Sequence, residues 1–204
     1  MNRKTPTTTI GLLLLIALVI GACQQATGQA TLTIEELQQQ AEAGDAEAQY
    51  LLGLAYEDEE GVEQDFTQAS HWWKKAAEQG HALAQTRLGL AYGLGEGVLK
   101  DFNRAAHWWK KAAEQGHPEA QYLLGAAYWG GEGVKQDSTE AYAWIIIAQA
   151  TGGETEEETE RMRDLTNLIE NELLIPAQLE EAQQRSSELH EQIQANIAKR
   201  DQAN

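Results

Sequence analysis

"HWWKKAAEQGH" occupies residues 71–81, and the same eleven residues return at 107–117. Aligned on that stretch, residues 46–81 and 82–117 are identical at 25 of 36 positions. A third, more diverged copy spans 118–153 and keeps the register. Gly53, Gly89 and Gly125 coincide, as do Tyr56, Tyr92 and Tyr128, Asp65, Asp101 and Asp137, and Trp72, Trp108 and Trp144. A fixed period of roughly 20–50 residues is the signature of a stacked array, in which each unit packs on a neighbour like itself.

Each unit reads as two helices. In the first unit, Leu51, Leu52, Ala55 and Tyr56 fall at helical spacing and predict a helix over 46–57. A loop with Gly61 follows. Asp65 stands where an N-cap belongs, with Gln68 three residues on in capping-box spacing; Asp137 and Glu140 repeat the arrangement. The second helix runs to about Gln79 and ends at Gly80, which accepts a left-handed C-cap. Gly53 and its equivalents each cost a helix about 1 kcal/mol against alanine. A cost that recurs in every unit implies close helix approach there, with Trp72 filling the larger gap. Both tryptophans of each pair are read as core rather than ligand-stacking groups.

The chain has 204 residues, a formal charge of −17 and a pI near 4.6. Such a surface repels phosphate backbones, so nucleic acid is excluded as a partner. A basic or neutral partner is favoured. The one cysteine, Cys23, cannot form an internal disulfide, so the fold stands on packing.

Residues 1–22 read as a signal peptide. Arg3 and Lys4 precede an apolar run, Ile10 to Ile20, too short for a comfortable membrane span. "IGAC", Ile20 to Cys23, resembles a bacterial lipobox, which implies lipidation of Cys23. Gln24 after it, by resemblance to enteric sorting rules, implies the periplasmic face of the outer membrane. The alternative is ordinary secretion with cleavage near "GQA", 28–30, and a soluble periplasmic product. Residues 23–33 are small and polar and read as a flexible tether.

The pattern "AEAQYLLGLAY", then "GVEQD", then "ASHWWKKAAEQG" resembles the SEL-one-like repeat, a relative of the tetratricopeptide repeat. The resemblance covers 46–81, 82–117 and 118–153, with a half-repeat helix at 34–44 ahead of them. It implies an all-α fold, an α-solenoid of paired antiparallel helices, acting as an adaptor rather than an enzyme. Some extracellular members carry a cysteine pair in every repeat and have been linked to penicillin binding. Those cysteines are absent here, so that activity is not inherited.

The same resemblance implies that the first helix of each unit lines a concave face. The corresponding positions are Glu47, Tyr50, Leu54 and Glu57; Leu83, Thr86, Leu90 and Gly93; Glu119, Tyr122, Ala126 and Trp129. Tyr50, Leu54, Leu83, Leu90, Tyr122 and Trp129 are the candidate partner-binding residues, and the acidic border suits a basic peptide. The competing reading is that these side chains contact neighbouring helices.

Residues 154–204 read as C-terminal capping helices and a tail. Lys74 and Lys75 become Ile146 and Ile147 in the third repeat, and an array needs a cover at its last helix. Pro176 suits a helix start. Leu179, Ala182, Ser186, Leu189, Ile193 and Ile197 then form one stripe, for capping or for a homodimeric coiled coil.

No catalytic, cofactor or metal site is expected. His71 and His107 lie one repeat apart, too far to share an ion readily. "YEDEEGVEQD", 56–65, lacks EF-hand spacing and reads as a solvated acidic loop. The sequence therefore predicts a lipid-anchored periplasmic adaptor for another envelope protein or peptide. The alternative is an envelope enzyme acting on peptidoglycan or β-lactams.

Overall fold

The computed structural model describes residues 33–152, 156–172 and 175–203. Among them the chain forms helices α1 (Ile34–Glu42), α2 (Ala46–Asp58), α3 (Phe66–Glu78), α4 (Ala82–Leu94), α5 (Phe102–Ala113), α6 (Pro118–Gly130), α7 (Ser138–Thr151), α8 (Glu156–Glu172) and α9 (Pro176–Ala203). Each helix from α1 to α7 packs on the next, giving an all-α solenoid with three two-helix units, α2–α3, α4–α5 and α6–α7. The two helices of a unit take different roles. Helix α4 buries residues on nearly every side, from Ala84 and Gln85 to Leu88, Gly89 and Tyr92. Helix α3 is amphipathic, burying Ala69, Trp72, Trp73 and Ala76 while His71, Lys74 and Glu78 face solvent.

Capping sets the helix starts. The Thr33 hydroxyl accepts from the Glu36 N–H while the Glu36 carboxylate accepts from the Thr33 N–H, a full capping box. Asp65 accepts from the N–H groups of Thr67 and Gln68. The reciprocal half of the box expected there has no donor to use: the Asp65 N–H already goes to the Tyr56 carbonyl at 3.0 Å. Asp101 and Asp137 repeat this with Tyr92 and Tyr128.

The helix glycines pack against the second tryptophan of each pair, which corrects the sequence reading. A Cβ on Gly53 would lie 2.3 Å from Nε1 of Trp73, and one on Gly89 would lie 2.4 Å from Nε1 of Trp109. In the third unit Ile145 fills the same place against Gly125. Trp72 instead joins Leu37, Ala41 and Leu52 under α1. The close approach is thus real, but the large partner sits one residue further along α3.

A ladder of buried amides ties the units together. Gln49, Gln85 and Gln121, none more than 4% exposed, donate to the carbonyls of Ala41, Ala77 and Ala113 in the helix before. Each also accepts from the end of its own second helix: Gln79 at 2.8 Å, Gln115 at 2.7 Å and Thr151 at 3.1 Å. One side chain per unit therefore bridges three helices and satisfies its own burial.

Helices α8 and α9 both pack on α7. Met162, Ile169 and half-buried Leu165 meet Tyr142, Ile145 and half-buried Ile146, while Leu189 and Ile193 of α9 meet Trp144 and Ile147. The α9 stripe is consumed by this packing: Ala182, Ser186, Leu189 and Ile193 are buried within the chain. The coiled-coil dimer expected as an alternative would need that stripe free. Outside that stripe the described exposed side chains of α9 are polar apart from Pro176 and small alanines, which offer no second face of large apolar groups.

Candidate functional site

The open face of the first helices is set by what their other faces bury. On α4 it carries Leu83, Arg87, Leu90 and Leu94. This is rotated slightly from the expected set. Thr86 is 1% exposed, with its hydroxyl 3.1 Å from Nδ1 of His117, and Gly93 is buried against the Trp109 ring. Both face the neighbouring helices because those helices wrap that side of α4.

Four of the six candidate residues line one cleft of about 640 Å³: Tyr50, Leu83, Leu90 and Tyr122. Arg87, Leu123 and Glu119 share its walls, and Arg161 and Met162 of α8 close it. Leu54 lies outside the lining, half-buried against the main core. Trp129 also lies outside, packed in the apolar cluster that holds α8 on the third unit. The structure thus brings together the three candidates nearest the start of their helices, Tyr50, Leu83 and Tyr122, plus Leu90.

Local bonds hold the cleft in shape. Tyr50 is 9% exposed and stacks on the His81 ring at 4.9 Å. His81 accepts the Ala84 N–H at Nδ1, capping α4, and its Nε2 lies 2.9 Å from the Glu47 carboxylate. Nη1 of Arg87 lies 3.3 Å from the Glu57 carboxylate. Burial raises the Glu57 carboxyl above its ordinary range, and the Arg87 charge opposes that rise. Burial likewise raises the Tyr50 phenol, again opposed by Arg87. The acidic border read from the sequence is therefore internally engaged at Glu47 and Glu57.

Sequence reasoning missed Arg87, Leu123, Arg161 and Met162. Arg87 had a signal. It stands where the first and third repeats have Leu51 and Leu123, an arginine breaking an apolar register. Arg161 had none, and Met162 had only its helical spacing with Leu165 and Ile169, because their helix lies outside the repeat pattern.

A second crevice of about 780 Å³ separates α5, α7 and α9, with Lys110, Tyr128, Trp144 and Lys199 among its walls. Its floor is the seam along which α9 caps the array, and Arg185 there already bonds Glu140 and Glu188. Among the described residues no three His, Cys, Asp or Glu side chains are grouped to hold a metal ion. In the acidic loop, Asp65 caps α3 and Glu57 turns to Arg87. The signal peptide, Cys23 and the tether up to residue 32 lie outside the described residues, and no described helix is long and apolar enough to cross a membrane.

A family model described as the Sel1 repeat matches residues 46–81, 82–117 and 118–148. No curated protein matches the chain in sequence. Among solved structures, the chain is similar to a protective antigen present in uropathogenic Escherichia coli strains and displaying an SLR fold. That match has 44% identity and a TM-score of 0.58 and covers 60% of this chain and 26% of that one. It is also similar to a Sel1 repeat protein from Oxalobacter formigenes, at 32% identity and a TM-score of 0.53, covering 72% of this chain and 56% of that one. The chain thus spans about a quarter and about half of the lengths of these two relatives.

Proposed function

The chain belongs to the Sel1 repeat family, whose members are generally scaffolds for protein–protein interaction, and on that premise we propose that it is a lipid-anchored periplasmic adaptor. The repeats are the scaffold and the concave cleft is the contact surface. Cys23 is the anchor, held at the periplasmic face of the outer membrane.

The cleft carries this reading. Leucines belong in a core, yet Leu83 is 38% exposed and lies with Leu90 and two tyrosines in one concavity. Burying such side chains against a partner is favourable at about 25 cal/mol per Å² of apolar area. Aromatic walls supply the anchoring contacts typical of peptide grooves. His81, Glu47, Glu57 and Arg87 are already bonded to one another in pairs, which gives this side of the cleft a set shape. The lipid anchor rests on the residues "IGAC" alone.

Photocrosslinking in cells from position 83 tests the contact surface. A specific partner is expected, and it should disappear in a Leu83→Glu, Leu90→Ala variant with unchanged helical content. Retention of the same partner by that variant would place the contact elsewhere. Cell fractionation tests the anchor. Cys23→Ser should move the protein from the outer-membrane fraction to the soluble periplasm; a distribution unaffected by the change supports the soluble alternative.

A further inference from the structure

Packing explains why residues repeat, but not why they stop repeating. The first two units differ at only a minority of positions, and two residues of the second unit at those positions line the cleft. Leu83 and Arg87 stand where the first unit has Glu47 and Leu51. The second unit has therefore exchanged an acid for an apolar side chain and an apolar side chain for a cation, both on its open face.

Arg87 is suited to recognition. Its guanidinium has five N–H donors in a rigid fork. Glu57 engages Nη1 and so fixes the group in place, while the side chain stays 38% exposed and lines the cleft. A cation held this way needs little ordering when a ligand arrives. Arg161 supplies a second guanidinium from α8, exposed on the same cleft. The one lining acid, Glu119, already interacts within the chain. The two lining arginines are notable on a chain of charge −17. Leu51 of α2, at the register position of Arg87, is also exposed, so apolar character recurs on the open face of the neighbouring unit. That recurrence favours a segment passing through over one that ends there.

Resting on the reading of this cleft as the contact surface, we propose that its occupant is an internal peptide segment bearing an acidic side chain flanked by apolar ones. Arg87 and Arg161 take the carboxylate; Leu83 and Leu90 take the apolar groups. This reverses the charge expected from composition, because net charge describes the whole surface and a cleft presents only its own lining.

The test uses the full chain and four fluorescein-labelled peptides in anisotropy titrations. Three are blocked at both ends, with cores Leu-Glu-Leu, Leu-Gln-Leu and Leu-Lys-Leu. The fourth is Leu-Gln-Leu with a free terminal carboxylate. The blocked glutamate peptide should bind about 10-fold or more tighter than the glutamine one, the fold-change of a charge-assisted hydrogen bond. Arg161→Gln, at an exposed position, should abolish that preference, and Arg87→Gln should reduce it. Leu90→Ala should weaken all of the binding peptides. Equal binding of the glutamate and glutamine peptides, both weakened by Leu90→Ala, overturns the carboxylate inference and leaves the cleft standing. Preference for the lysine peptide, or for the free terminus alone, also overturns it. Absence of binding by every peptide overturns this inference and counts against the cleft reading on which it rests.

Discussion

Glu59 has φ +59°, and it is the only non-glycine with positive φ among the described residues. It caps α2 where Gly95 and Gly131 cap the equivalent helices α4 and α6. A Cβ in the left-handed region costs about 1–2 kcal/mol, part of which glycine gives back through a more disordered unfolded chain. Glu59→Gly should therefore stabilise the protein by about 0.5–1 kcal/mol, read as a rise of roughly 2 °C in the thermal midpoint. Gln85 sits at the opposite extreme, buried and bonded to both Ala77 and Gln115. Gln85→Met keeps the length but removes two hydrogen bonds at a buried site, leaving the Ala77 carbonyl with the Gly80 N–H and the Gln115 amide with the Lys111 carbonyl. It should cost about 2 kcal/mol and lower the midpoint by roughly 4–8 °C, and an unchanged midpoint would show that the amide ladder contributes nothing net. The glutamine's recurrence was plain in the sequence. Its role was not, because one bonding partner lies thirty residues further along, on another helix.

At the level of the helix, α8 is held by side chains as well as by its apolar face. The Tyr142 hydroxyl donates to the Glu170 carboxylate at 2.8 Å, and Gln149 donates to the Thr166 hydroxyl at 2.6 Å. Burial and the adjacent Glu170 push the Tyr142 phenol up to about 12. In the unfolded chain a tyrosine ionises near pH 10. The contribution of this contact is thus complete below about pH 10 and is lost as the pH climbs toward 12. Wild-type stability should fall more steeply across that window than stability of Tyr142→Phe, measured by urea unfolding at each pH. Parallel curves would show that Tyr142 is free of the carboxylate. Helix boundaries followed from Asp65, Gly80 and Pro176, whose capping and backbone preferences act within a few residues. The pairing of faces did not follow so closely. Trp72 and Trp73 lie about 100° apart around α3, and the crossing of α2 and α3 selects Trp73 to meet Gly53.

Across the whole molecule, the solenoid was legible because its contacts are nearest-neighbour contacts. Each helix from α1 to α7 meets the one before and the one after, so a period of 36 residues carries the information needed to stack them. Gly53 with its equivalents, the capping aspartates and the repeated tryptophans all encode that local relation. The cover was legible too, from Ile146 and Ile147 standing where lysines stood before. The cleft is a different kind of object. Its walls come from α2, α4, α6 and α8 at once, so membership depends on how far each helix is rotated and on what lies across from it. Thr86 and Trp129 satisfied the helical spacing and were drawn into contacts with neighbouring helices. Arg161 satisfied no pattern and Met162 only the apolar side of its own helix, with Leu165 and Ile169; both were brought in by the docking of α8 on α7. Repetition along the chain thus dictated the architecture, since packing between like units is set within one period. The charge and shape of the concave surface arose only on folding, where residues distant in the chain meet and acids such as Glu57 find partners such as Arg87.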